Sequence, residues 1–138
     1  MSEENVRLVI HEDIDRYNGY PVHVLHVTWE RYIEVEEIPE IVDRVIDETR
    51  KLDADSILVL SGRLSFWLYV IISHALTQKY IAVAVFDPKL DGAVVCLSHT
   101  PSIQVGSVVP LDHYAHILIE RKKRRRKKED IDDVEALF

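Results

Sequence analysis

A chain of 138 residues and 16.0 kDa with 47% hydrophobic side chains is long enough for one domain with a buried core, and it holds no apolar run near the roughly 18 to 20 residues of a membrane span. Its net charge of −7 combines an acidic body, with 9 basic against 19 acidic side chains over residues 1–120, and a basic run at 121–128, RKKRRRKK, holding 8 of the 17 Lys and Arg. Such a body argues against a nonspecific duplex binder, whose affinity comes from phosphate neutralisation, while the acidic start and the single Cys96 point away from secretion and disulfides and toward a reducing cytoplasm.

In chain order, the branched apolar residues of Val6 to Ile10 predict a short strand, and the polar stretch HEDIDRYNGYP reads as a loop. From Pro21 to Trp29 two alternating sets, Val22, Val24, His26, Thr28 and His23, Leu25, Val27, Trp29, predict a strand covered on both sides. Between Pro39 and Leu52 the spacing of Ile41, Val42, Val45, Ile46 and Leu52 predicts an amphipathic helix, with Pro39 in its first turn and Arg50 and Lys51 near its last. Ser56 to Leu60 is a continuous apolar strand, Leu64 to about Lys79 is long enough for a helix, and Ile81 to Phe86 is a second buried strand. Strand, helix and strand over so short a span make a right-handed crossover with the two strands parallel.

Ala93 to Leu97 follows the tight turn DPKLDG and is expected to pair antiparallel with the preceding strand, and Val105 to Val109 adds a short edge strand. Over 114–120 an alternating pattern favours a strand, with a helix as the competing reading; beyond Arg121 the chain is charged, low in complexity and expected to be flexible, apart from a short helix over EDIDDVEALF. The sum is one compact α/β domain over 1–120 with a mixed sheet, followed by a charged tail.

The residues with chemical potential gather in the middle third. Ser61, Gly62 and Arg63 end one parallel strand and open a helix, where unpaired backbone N–H groups and a guanidinium suit a phosphate; the plainer alternative is that Ser61 caps the helix and Gly62 permits the turn. Asp87 and Lys89 flank Pro88 at the end of the second parallel strand, so an acid and two cations share the edge at which open parallel sheets bind ligands. A simple Asp-Pro turn with Lys89 in solvent is the alternative. His74 falls on the stripe Trp67, Val70, Ile71, His74, which reads as core, and His99 ends a strand where it can reach solvent. His11, His23, His26, His113 and His116 show no metal-ligand spacing. The predicted hairpin places Asp87 and His99 at opposite ends of the sheet, about 20 Å apart, with His74 on the His99 side; one subunit cannot bring Asp87 and His99 to the same phosphodiester.

Ser61-Gly62-Arg63, Trp67, Asp87-Pro88, Leu90, Gly92-Ala93-Val94-Val95 and Ser98-His99, within 56–110, resemble the CRISPR-associated ring nucleases of the third family, the Csx-three proteins of type III systems. The resemblance implies a compact α/β protein, ferredoxin-like or distantly related to the Rossmann-like nucleotide-sensing domains of CRISPR accessory proteins. It implies cleavage of cyclic tetra-adenylate with Mn2+, or shortening of RNA 3′ tails, or capture of the cyclic nucleotide without turnover. Ser61, Gly62, Arg63 and Trp67 become candidate ligand contacts; Asp87, Lys89, His99 and His74 become candidate catalytic residues, with Asp87 and His99 also metal candidates. Two departures stand out: Lys89 replaces the family's arginine, and Thr77, Gln78 and Lys79 stand where a further histidine is expected, so that either His74 takes that role or this chain cleaves poorly. A homodimer stacking to a tetramer or beyond would bring the two sheet edges together around the ligand.

Overall fold

In the computed structural model, which describes residues 5–112 and Tyr114, strand β1 (Val6–Tyr17) turns back into β2 (Tyr20–Trp29). Helix α1 (Ile38–Glu48) leads to β3 (Ile57–Gly62), and α2 (Phe66–Thr77) to β4 (Ala82–Asp87). Two strands, β5 (Gly92–Ser98) and β6 (Val108–Pro110), complete a six-stranded sheet in sequential order. β2, β3 and β4 are parallel neighbours, and the other pairs are antiparallel. This is a single α/β domain with a mixed sheet and two strand-helix-strand crossovers. The sequential order rules out a ferredoxin-like arrangement, in which consecutive strands are interleaved.

Two crossovers of one hand between adjacent strands put both helices on the same face. Val45 of α1 and Leu68, Ile72 and Leu76 of α2 pack there against Leu25, Leu58, Leu60 and Val83. Each such fully buried aliphatic side chain contributes roughly 1.5 to 3 kcal/mol. The opposite face has no described helix of comparable length; Ile103, Val109, Leu111 and Tyr114 cover Val24, Val59 and Ala84. No helix of the described residues is long and apolar enough to cross a membrane.

Three expectations about these elements are corrected. The stretch after Ile10 is strand as far as Tyr17, joined to β2 by Asn18-Gly19, both at positive φ (51° and 86°), a two-residue hairpin turn. Glu12, Asp13 and Asp15 do not prevent this because β1 is an edge strand, and its register shifts between His11 and Asp15, where Asp13 has φ 49°. The stripe Trp67, Val70, Ile71, His74 is not the core face of α2: Val70 is 68% exposed and His74 is exposed, whereas Leu68, Ile72 and Leu76 are buried. Asp112 and Tyr114 have helical backbone rather than the strand favoured for 114–120; the rest of that segment and the tail lie outside the described residues.

His23 is 4% exposed, and its Nδ1 accepts the Asp13 N–H at 2.9 Å. Burial lowers its pKa below the ordinary 6.5, against an upward pull from Asp13, Glu12 and Asp53. The unfolded chain therefore takes up the proton first. The contribution of His23 to stability is complete above its ordinary value and falls as pH drops from there toward the lower folded value. The thermal midpoint is expected to decline between about pH 7.5 and pH 5, and less steeply in His23→Gln, whose carbonyl can accept the same N–H without titrating. Equal slopes for the two proteins would remove His23 from the account.

Candidate functional site

The candidate residues divide between two edges of the sheet. At the carboxyl edge of the parallel strands, Ser61 pairs with His26 and Gly62 with Val27. Gly62 has φ 130°, and a Cβ there would lie 2.2 Å from the Val27 carbonyl oxygen, so glycine is required by the approach of β2. The carbonyls that follow are both engaged: Tyr69 OH donates to that of Gly62 and Trp29 Nε1 to that of Arg63. Burial pushes the Tyr69 phenol above its usual range, which keeps it a donor. The turn is thus fixed in orientation, with the exposed Arg63 at its tip.

Ser65, not Ser61, is the N-cap of α2, and its carbonyl accepts from Leu68 and Tyr69 N–H at 3.1 Å each. Its side chain makes no capping bond. That leaves the Phe66 and Trp67 amides at the open end of the helix, where water or an anion can accept from them. Trp67 lies in this first turn, 36% exposed.

Ser61 is only 1% exposed and faces away from α2. Its Oγ lies 2.9 Å from His26 Nδ1 and accepts from Tyr114 OH at 2.8 Å; Tyr114 OH is also 2.9 Å from His26 Nδ1. With Tyr114 donating to Ser61, the serine proton can go to Nδ1, which satisfies all three groups away from water. Ser61 therefore holds the strand beneath the turn, and its hydroxyl does not open toward a ligand. Tyr114→Phe keeps the edge contact with Phe86, whose ring centroid is 4.9 Å away, but removes the donor to Ser61. A loss of about 1 to 2 kcal/mol is expected in urea denaturation; an unchanged midpoint and slope would mean that the hydroxyl contributes nothing to folding.

On the same edge, Asp87 is half-buried, and its Oδ1 accepts the Lys89 N–H at 2.9 Å, closing a turn that leaves the Lys89 side chain in solvent. Asp87 pairs with Gly92, and Ala82 with Ser98 at the far end. His99 N–H then donates to the Ile81 carbonyl at 2.8 Å. Asp87 lies six steps along the strand from Ile81, so His99 and Asp87 are about 20 Å apart, as the hairpin reading required.

At this amino edge, His99 Nε2 is 2.9 Å from both Thr77 Oγ1 and the Thr77 carbonyl oxygen. A carbonyl only accepts, so the neutral ring carries its proton on Nε2 and presents Nδ1 as the basic atom. Thr77 thus orients His99 from within the 77–79 stretch where a further histidine was expected. His99 and Thr77 border an open hollow with Asp55, Gln78, Lys79 and Ile81. Exposed His74 lies one turn earlier on α2. Among the described residues no group of three or more His, Cys, Asp or Glu could hold a metal ion, and Asp87 and His99 do not meet within a subunit. Asp87 and His99 of one copy therefore cannot share a metal ion.

Comparison with known proteins places this geometry. The family profile described as CRISPR-associated protein (Cas_csx3) matches residues 26–110, more than half of the chain. The chain belongs to the Cas_csx3 family. Its role is accordingly CRISPR-related. An uncharacterized protein of Aquifex aeolicus (strain VF5) is 41% identical over 63 residues, covering 46% of this chain. The matched region spans 56% of that relative's length. The family match runs from His26 at the end of β2 through β6, and so takes in both edges and every candidate residue, while Tyr114 and His11 fall outside it.

Sequence reading overlooked the contributions of Tyr114, Thr77 and Trp29. Tyr114 acts across 53 residues of separation from Ser61, which no local pattern reveals. Trp29 carried a usable signal: an aromatic at the last position of a buried strand, on the ligand-binding edge.

Proposed function

We propose that this Cas_csx3 protein binds cyclic tetra-adenylate between stacked copies and opens it, ending a type III CRISPR antiviral signal. The observation that carries the reading is the division of the site: an anion-suited turn with Arg63 at one edge and an oriented, solvent-facing His99 at the other. A phosphodiester lying between two copies meets both. Backbone amides at the start of α2 and the Arg63 guanidinium hold the phosphate. A ribose 2′-hydroxyl attacks the adjacent phosphorus, forming the O–P bond of a 2′,3′-cyclic phosphate as the bond to the 5′-oxygen breaks. Nδ1 of His99 in the neighbouring copy accepts the 2′-hydroxyl proton, and the 5′-oxygen leaves with a proton from solvent or the protonated ring. Asp87 fixes the turn that carries Lys89, whose ammonium adds charge near the phosphate.

The test is incubation of labelled cyclic tetra-adenylate, and separately of polyadenylated RNA, with the protein in manganese and in chelator. Linear products carrying a 2′,3′-cyclic phosphate are expected from the ring in both conditions, with specific activity rising with protein concentration. Flat specific activity well below the oligomerisation midpoint would sink the shared site, and shortening of linear RNA at a comparable rate would favour a tail-trimming exonuclease. A second reading, capture without turnover, has a specific basis in residues 77–79 and Lys89: the resemblance leads to a histidine in the first, where Thr77, Gln78 and Lys79 stand, and to an arginine at the second, where lysine loses the bidentate fork. Binding without products would establish it.

A further inference from the structure

Two aromatic side chains stand in solvent beside the Gly62–Arg63 turn, and the proposed chemistry leaves both unused. Trp29, the last residue of β2, is 37% exposed, and its indole N–H is bonded to the Arg63 carbonyl. Tyr32, three residues on, is 64% exposed, its ring centroid 6.1 Å from that of Trp29 and its plane inclined at 68°. The two rings stand roughly edge to face.

The chain carrying them is held from behind. Asn5 Oδ1 accepts the N–H groups of Glu30 and Arg31 at 3.2 and 2.8 Å. The Arg31 guanidinium makes a two-pronged bond to the Glu37 carboxylate at 3.0 and 3.1 Å. Glu37 in turn accepts the Glu34 N–H, and these donors hold its carboxyl below the ordinary range. The aromatic pair is therefore presented in a set position and loses little entropy when a flat partner docks.

Single exposed apolar residues are ordinary on a protein surface. An aromatic pair of which Trp29 is hydrogen-bonded to the backbone of an anion-suited turn is a different arrangement, because it joins the two elements that single-stranded nucleotide binding requires: positive charge for phosphate and a ring face for the base. We propose that Trp29, walled by Tyr32, is a nucleobase shelf, on which the base of a nucleotide stacks while its phosphate lies at Gly62 and Arg63. The inference rests on the nucleotide reading above and adds a base-recognition site to it. The selectivity that follows is for ligands bearing bases over bare sugar-phosphate chains, and for purines, which offer more stacking area, over pyrimidines.

Titration calorimetry with a linear adenylate tetranucleotide, and with an abasic ribose-phosphate tetramer of equal charge, tests the shelf. The wild-type protein is expected to bind the adenylate about tenfold or more tightly than the abasic chain. Trp29→Leu should reduce the two affinities to near parity, Trp29→Phe should recover most of the preference by restoring a ring, and Tyr32→Ala should lower it in part. Circular dichroism and thermal midpoints identify any variant that fails to fold, and Tyr32→Ala, at an exposed position, keeps the test decisive if Trp29→Leu does so. Equal weakening of both ligands in Trp29→Leu would make the indole a prop for the Arg63 loop and overturn the proposal. Abasic binding with no gain from the bases overturns the shelf while leaving the anion site standing, whereas absence of binding to either ligand removes the nucleotide reading and the shelf with it. In Trp67→Phe protein, whose remaining indole is that of Trp29, emission that changes with protein concentration and not with adenylate would assign the surface to a second copy, also overturning the proposal.

Discussion

Gly62→Ala is expected to destabilise the protein by on the order of 3 kcal/mol or more, lowering the thermal midpoint by roughly 10 °C or more. Two effects combine. The backbone at φ 130° lies outside the range that side chains readily adopt, and the added Cβ would meet the Val27 carbonyl oxygen at 2.2 Å and its carbonyl carbon at 3.1 Å. Backbone cannot rotate aside as a side-chain tip can, so β2 and β3 must separate at Val27–Gly62, where the two parallel strands are in register. Gly19 supplies the control: its φ is 86°, but nothing lies within 4 Å of its would-be Cβ. Gly19→Ala should cost only about 1 kcal/mol, from backbone conformation alone. If Gly62→Ala unfolds at the same denaturant concentration as Gly19→Ala, the steric part of this account is wrong. Because Arg63 and the start of α2 hang from this contact, any folded fraction of Gly62→Ala should also bind an anionic ligand more weakly.

The central sheet was legible because its parallel strands are buried on both faces and read as continuous apolar runs, of which Ile57-Leu58-Val59-Leu60 is the clearest. β1 was legible only in its first half, since an edge strand can carry Glu12, Asp13 and Asp15 toward water while keeping its ladder to β2. The buried face of α2 was misjudged for a related reason. Leu68-Ile72-Leu76 and Trp67-Val70-Ile71 are stripes about 150° apart on one helix, and both are apolar, so helical periodicity cannot choose between them. Position in the sheet made the choice, placing Leu68 over β3 and leaving Phe66 92% exposed.

The two-edge arrangement of the site was legible for a stronger reason. A tight turn between Asp87 and Gly92 forces antiparallel pairing, and antiparallel pairing forces the residue after β5 to the end opposite Asp87. The inward role of Ser61 was not legible. A serine before glycine at the end of a strand suits a ligand contact, a cap or a buried bond equally well, and only Tyr114 and His26, brought in from distant parts of the chain, decide which of these it makes.

A site shared between edges predicts complementation. Arg63→Ala removes the guanidinium from one edge, and His99→Ala removes the imidazole from the other; neither change touches the core, since both residues are exposed. Each variant alone is expected to lose about 100-fold or more in ring-opening rate. In an equal mixture each shared site draws its Arg63 and its His99 from independent copies, so about a quarter of the sites hold both intact and about a quarter of the wild-type rate should return. Which face mediates dimerisation does not matter, because the fraction depends only on the two groups coming from different chains. A site built within one chain makes the opposite prediction: the mixture would be no faster than the average of the two variants measured separately. The roughly 20 Å of sheet between the edges is what separates these outcomes, since no side-chain rearrangement within a subunit can carry His99 to Arg63.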